Sequence, residues 1–170
     1  KSDALIQAKF YTYNCYYIKA GSLQIKQNNW KAYEQSAISK PRLVSWFVSH
    51  CKAPNRREDY VMTMKKHIHV DIYGKCSEYS STTIPLNSKE EKKILAKYKF
   101  YLSFENSNCP EYVTEKVYKI LNSGLKDNPP VPIVMGPNIS FYKRILPYKS
   151  FIHVDEFNNA EKEASKDLPF

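Results

Sequence analysis

At 170 residues the chain is long enough to bury a sizeable core as one domain, and short for two of ordinary size. Its 26 Lys and Arg against 17 Asp and Glu give a formal net charge of +9, which favours anionic partners such as phosphates, nucleic acid or acidic membrane surfaces without choosing among them. A content of 14 Tyr with only 4 Gly excludes a disordered basic tail or a low-complexity segment, and no apolar run reaches the roughly 18 residues that a membrane span needs.

Residues 1–40 mix aromatic and polar side chains without a sustained period, and read as an irregular connector or the remnant of another unit. Lys1 begins the chain without a start Met or signal-peptide pattern and Phe170 follows a charged stretch directly, so the chain is expected to be part of something longer. From Pro41 the pattern is regular. RLVSWFVS is a β-branched and aromatic run, NRREDYVMTMKKH has helical spacing, IHVDIYG is a second strand and SKEEKKILAKY a second helix. KFYLSFEN then makes a third strand, PEYVTEKVYKILNS a helix stopped by Gly124, PVPIVMG a fourth strand and SFYKRI a short helical turn. SFIHVDEF is a fifth strand and NAEKEASKDL a last helix. Strands alternating with helices predict an α/β domain over residues 41–170, a parallel sheet flanked by helices. Ligands of such sheets collect at the carboxyl ends of the strands.

Two strand-to-helix junctions at that edge share a form. Asn55 with Glu58, and Asn108 with Glu111, each have the spacing of a capping box, so both helices are expected to start there with free N–H groups facing an anion. Arg57 falls in the first turn of its helix, where a guanidinium suits phosphate oxygens; the blander alternative is that Arg56 and Arg57 are solvated charges. In the later helix Val113, Val117, Ile120 and Leu121 form the buried stripe, and Tyr112, Glu115, Lys116 and Lys119 fall opposite, where an ordinary solvated face is the default. Four cysteines, Cys15, Cys51, Cys76 and Cys109, show no zinc-site spacing. Three of them follow strands, which leaves open both a bridge such as Cys51–Cys109 and unpaired half-buried thiols. Asn138 heads one N-x-S/T sequon, compatible with a glycosylated secretory protein and with chance.

The stretch FENSNCPEYVTEK, with YKFYL before it and VPIVMGPN and FIHVDEF after it, closely resembles the donor-binding half of the α1,3-fucosyltransferases. WFVSHC and VDIYGKC resemble it too, so the motifs run in order from Arg42 to Phe157. The resemblance implies the C-terminal, Rossmann-like domain of a GT-B glycosyltransferase, which binds GDP-fucose for inverting, metal-independent transfer in α1,3 linkage to an N-acetylglucosamine of a glycoprotein glycan. It implies no cofactor beyond that donor substrate. By resemblance Arg57 and Lys116 would hold the pyrophosphate, Glu115 would accept hydrogen bonds from ribose or fucose hydroxyls, and Asn106 and Tyr112 would complete the pocket. The full-length protein would be a Golgi membrane enzyme facing the lumen, held by an N-terminal anchor.

Four departures from the family pattern stand out. The acceptor domain with its carboxylate base is expected outside these residues, so this chain alone would not transfer fucose. Tyr17 to Ser22 lacks the two acids of the family's Tyr-Arg-x-Asp-Ser-Asp segment, and SGLKDNPPVP is longer than the family's loop, with His50 where Asn is common. The rival readings are an inactive nucleotide-binding fragment and a basic nucleic-acid-binding module. The second is disfavoured, because the aromatics fall mostly in apolar strands and stripes and no RNA-binding signature is present.

Overall fold

Runs of β-branched and aromatic residues, each closed by a polar junction, set the frame of the domain. The computed structural model describes residues 6–7, 17–18, 38–77, 88–121, 129–147 and 150–157. Strands β1 (Ile6–Gln7) and β2 (Tyr17–Ile18) form a small antiparallel pair. The main elements are β3 (Arg42–Phe47), α1 (Arg57–Met64), β4 (Val70–Tyr73), α2 (Lys89–Leu95), β5 (Tyr98–Phe104) and α3 (Glu115–Leu121). They continue with β6 (Val131–Met135), α4 (Ile139–Ile145), β7 (Ile152–His153) and a 3₁₀ turn over Val154–Glu156. The expected helix NAEKEASKDL, the helix stop at Gly124 and most of residues 1–40 lie outside the described residues. No described helix is long and apolar enough to cross a membrane.

Strands β3 to β7 form one parallel sheet in the order β4-β3-β5-β6-β7, as the alternation of strands and helices predicts. Successive side chains of a strand point to opposite faces, and here both faces are covered. Val44, Trp46, Phe100, Leu102, Phe104 and Ile133 pack with Val61 and Met64 of α1 on one face. On the other, Val134 packs with Val117 of α3 and with Tyr142 of α4, while Tyr101 meets Leu95 of α2 and Ile120 of α3. The chain leaves β3 toward β4 on one side, then crosses back to β5 on the other. The order therefore reverses between β3 and β5, which makes the carboxyl ends of those two strands the switch point where such sheets bind ligands.

Helix α2 begins with Ser88, whose hydroxyl accepts from the Glu91 N–H at 3.0 Å. Glu91 is itself buried and ion-paired with Lys119 of α3, whose ammonium lies 5.2 Å from the Phe47 ring. Lys119 thus departs from the solvated face expected of it. The ammonium lies near aromatic rings and meets an acid from another helix.

At the amino end of the sheet, Asp71 accepts from Tyr98 at 2.7 Å and from Arg42 at 3.0 Å, and pairs with His69 at 3.0 Å. Burial works to raise its carboxyl, but hydrogen bonds from Tyr98, His69 and Arg42 outweigh it and hold the group below the usual carboxylate range. A depressed folded-state value contributes stability that is present above the ordinary carboxylate value of about 4 and lost as pH falls through the folded one. Asp71→Asn is therefore expected to flatten the acid limb of stability. Urea midpoints between pH 3 and pH 6 check this, the variant's dependence being shallower than that of the unmodified chain.

Candidate functional site

Two connections meet at the switch point. The first leaves β3 through Val48 to Arg56. Asn55 was expected to cap α1, but the residue before the helix is Arg56, in the left-handed region at φ 55° and with no side-chain cap. Glu58 does reach back, accepting from the Ala53 N–H at 3.2 Å and 3.3 Å. Asn55 is drawn off by the neighbouring connection instead: its Nδ2 donates to the Glu105 carbonyl and to Asn108 Oδ1, both at 2.9 Å. It ties the two loops together across the switch point.

Arg57 is buried, with 2% of its surface exposed. Its guanidinium donates to the carbonyls of Phe104 at 2.6 Å and His50 at 2.7 Å, pairs with Glu58 at 3.4 Å, and lies 5.6 Å from the Trp46 ring. These carbonyls lie at the exits of β3 and β5, beyond the last rung between those two strands, Ser45 with Tyr101. The solvated alternative fails for Arg57, whereas Arg56 is exposed and pairs with Asp59 at 2.6 Å.

The second connection, after β5, is organised by a residue to which the sequence reading assigned no role. Glu105 is fully buried, and its N–H donates to the Met135 carbonyl at 2.8 Å, so its backbone is fixed to the end of β6. Gly136, at φ 155°, approaches so closely that a Cβ there would lie 3.0 Å from the Glu105 side chain. The carboxylate accepts from the Thr114 N–H and the Thr114 hydroxyl at 2.7 Å each, and from Lys116 Nζ at 2.9 Å. Lys116 Nζ also donates to Thr114 Oγ1 at 2.6 Å, which closes a three-residue ring.

This ring explains where α3 begins. Asn108 and Glu111 were expected to cap a helix starting near Pro110. Asn108 is exposed and engaged by Asn55, while Glu111 sits at φ 62° and pairs with Arg144 at 3.3 Å. The helix starts at Glu115, and the carboxylate of Glu105 holds the Thr114 N–H just ahead of it. Val113, Val117 and Ile120 are buried and Leu121 half-buried, as the stripe predicts.

The remaining candidates surround this centre. The Lys116 side chain is 23% exposed, so it is anchored on Glu105 without being closed off from solvent. Glu115, 58% exposed, places Oε1 3.7 Å from that ammonium. Asn106 directly follows Glu105 and Tyr112 precedes Val113, both half-buried. Arg57, Asn55 and Lys116 thus come from two distant segments and converge on the backbone and side chain of Phe104–Glu105. Thr114 was missed along with Glu105, and Asn55 was assigned a cap rather than this bridge. The available signal for Glu105 was an acid standing directly at the end of a mostly aromatic and apolar strand, where a buried carboxylate needs partners.

The cysteine pairing corrects an expectation. Cys51 is bridged to Cys76, with Cα atoms 5.6 Å apart, and Cys109 is an exposed free thiol, 2.9 Å from the Ser107 hydroxyl. The reason is strand order: β3 and β4 are direct neighbours, paired Phe47 to Tyr73, and both cysteines follow just beyond. Gly74, at φ 97°, allows the turn, since a Cβ there would meet the Val48 carbonyl at 2.5 Å. Removing the bridge, whose ends are 25 residues apart, is expected to lower stability by about 3 kcal/mol. Comparing urea unfolding of the chain with and without reductant checks this, and Cys109→Ser should be neutral. Asn138 is exposed, and its Oδ1 caps α4 by accepting from the Phe141 N–H at 2.9 Å.

A parallel sheet flanked by helices, with polar groups converging at its switch point, is a Rossmann-like, ligand-binding arrangement. The model of the C-terminal part of glycosyltransferase family 10 (fucosyltransferase) matches residues 37–167, and the chain belongs to this family. It is 42% identical over 130 residues to glycoprotein 3-alpha-L-fucosyltransferase A of Drosophila melanogaster, covering 75% of this chain and 24% of that protein. With a human 3-galactosyl-N-acetylglucosaminide 4-alpha-L-fucosyltransferase it shares 39% identity over 121 residues, 71% of this chain and 31% of that one. A solved α1,3-fucosyltransferase with GDP-fucose superposes with a TM-score of 0.55 at 27% identity, covering 75% of this chain and 34% of that chain. The chain therefore spans about a quarter to a third of the length of these relatives.

Proposed function

We propose that this chain is the donor-binding half of an α1,3-fucosyltransferase and holds GDP-fucose at the carboxyl ends of β3 and β5. The observation that carries the reading is the Lys116 side chain, anchored on Glu105 yet partly exposed, with the exposed Glu115 carboxylate beside it. A cation beside a hydroxyl acceptor suits a nucleotide sugar, whose pyrophosphate and sugar hydroxyls ask for those two chemistries side by side. The family match and the GDP-fucose described with a solved relative support the same donor.

In this proposal Lys116 meets the pyrophosphate, Glu115 accepts from ribose or fucose hydroxyls, and Asn106 and Tyr112 line the pocket. Arg57 contributes its charge and its brace from beneath. Breaking the bond between fucose and phosphate places negative charge on the departing GDP, and fixed cations stabilise that charge without a metal. Attack by an acceptor hydroxyl from the opposite side inverts the anomeric carbon. The acceptor, an N-acetylglucosamine of a glycoprotein glycan, and the base that deprotonates it belong to the remainder of the enzyme. A lumenal Golgi setting with an N-terminal anchor completes the proposal. The Cys51–Cys76 bridge supports it, since such bridges persist in oxidising compartments.

Calorimetric titration tests the donor assignment. Saturable binding of GDP and of GDP-fucose in the presence of a chelator is expected, with uridine diphosphate much weaker. Absence of binding, or equal binding of both nucleotides, would overturn it.

A further inference from the structure

Glu105 contacts no solvent, yet it is the hub of the site: one carboxylate receives a backbone N–H, a hydroxyl and an ammonium from the segment that carries the exposed groups. We infer that Glu105 is the positioning residue of the donor site, holding the Lys116 ammonium, through itself and Thr114, where one N–H remains for the pyrophosphate. The inference rests on the donor reading above and adds a role to it.

Three features of the geometry carry it. The carboxylate is immobile, because its own N–H is tied to Met135 and its stem lies against Gly136. The single hydroxyl proton of Thr114 goes to Glu105, so Thr114 Oγ1 meets Lys116 as an acceptor, and the ammonium has two fixed partners. An ammonium has three donors, and the third is left on the side of Glu115, which at 3.7 Å is a loose partner. A lysine otherwise has long, freely rotating methylene linkages; holding it in place before the ligand arrives removes the ordering cost from binding.

The alternative role, simple charge compensation, makes the opposite forecast. If Glu105 only offset positive charge, removing its charge would strengthen attraction for a diphosphate. If it positions Lys116, removal weakens binding even though the site becomes more positive.

The test is GDP titration of the chain carrying Glu105→Gln, with Glu105→Asp as a second variant that keeps the charge one methylene short. About tenfold or greater weakening in both supports positioning. Tighter binding in Glu105→Gln, or unchanged affinity in Glu105→Asp, overturns it. Combined with Lys116→Met, Glu105→Gln should add no further loss, whereas a general structural defect would add to it. Nitrogen-15 ammonium NMR supplies a readout free of nucleotide: a slowly exchanging signal absent in Lys116→Met should also vanish in Glu105→Gln, and its survival would overturn the proposal. If the unmodified chain binds no GDP, the donor reading falls and the positioning role falls with it; the ammonium signal then still shows whether Glu105 holds Lys116.

Discussion

Arg57→Ala is expected to lower the unfolding free energy by about 3–5 kcal/mol, measured by urea denaturation. The guanidinium joins the exits of two adjacent strands, donating to the Phe104 carbonyl at the end of β5 and to the His50 carbonyl beyond the end of β3. Its removal leaves the buried Phe104 carbonyl and the part-buried His50 carbonyl without this donor, takes the guanidinium from Glu58 and removes its contact with the Trp46 ring. Arg57→Lys should recover little, since one ammonium cannot reproduce the planar fork that spans two carbonyls. A loss below about 1 kcal/mol, together with a large loss of GDP binding, would instead place this guanidinium on the ligand.

Lys116→Met should act on the other quantity. GDP binding is expected to weaken by about tenfold to a hundredfold, the range for a charge-assisted hydrogen bond to a phosphate oxygen. Stability should fall as well, because the fully buried Glu105 carboxylate loses its cation, although it keeps both hydrogen bonds from Thr114. Calorimetry at two salt concentrations checks the charge contribution, which screening reduces in the unmodified chain more than in the variant. Wild-type affinity in Lys116→Met would remove this ammonium from the site.

The strands and their parallel arrangement were legible because both local signals and connectivity agree: β-branched and aromatic runs such as RLVSWF and YKFYLSF, separated by helical periods. Helix starts were less legible. The caps read from Asn55 and Asn108 assume that each amide serves its own helix, whereas here the two amides bond each other across the switch point. The cap of α3 comes from Glu105, nine residues before Thr114, a distance that no local rule inspects. Lys119 was misplaced on a solvated face for the same reason, because its partner Glu91 lies 28 residues away on another helix. The cysteine pairing depended on which strands are neighbours, and sequence order alone does not fix that β3 lies between β4 and β5. Among the candidates themselves, Glu115 and Lys116 were legible as a pair, but the buried acid beneath them was not.

The most direct test of the site's location is amide NMR mapping of the chain during titration with GDP-fucose. Saturable shifts concentrated in residues 53–57 and 105–116, with the Asn55 and Lys116 side-chain signals moving at the same ligand concentration, are expected. Shifts confined to the opposite end of the sheet, around Arg42, Asp71 and Tyr98, or no shifts at all, would contradict it.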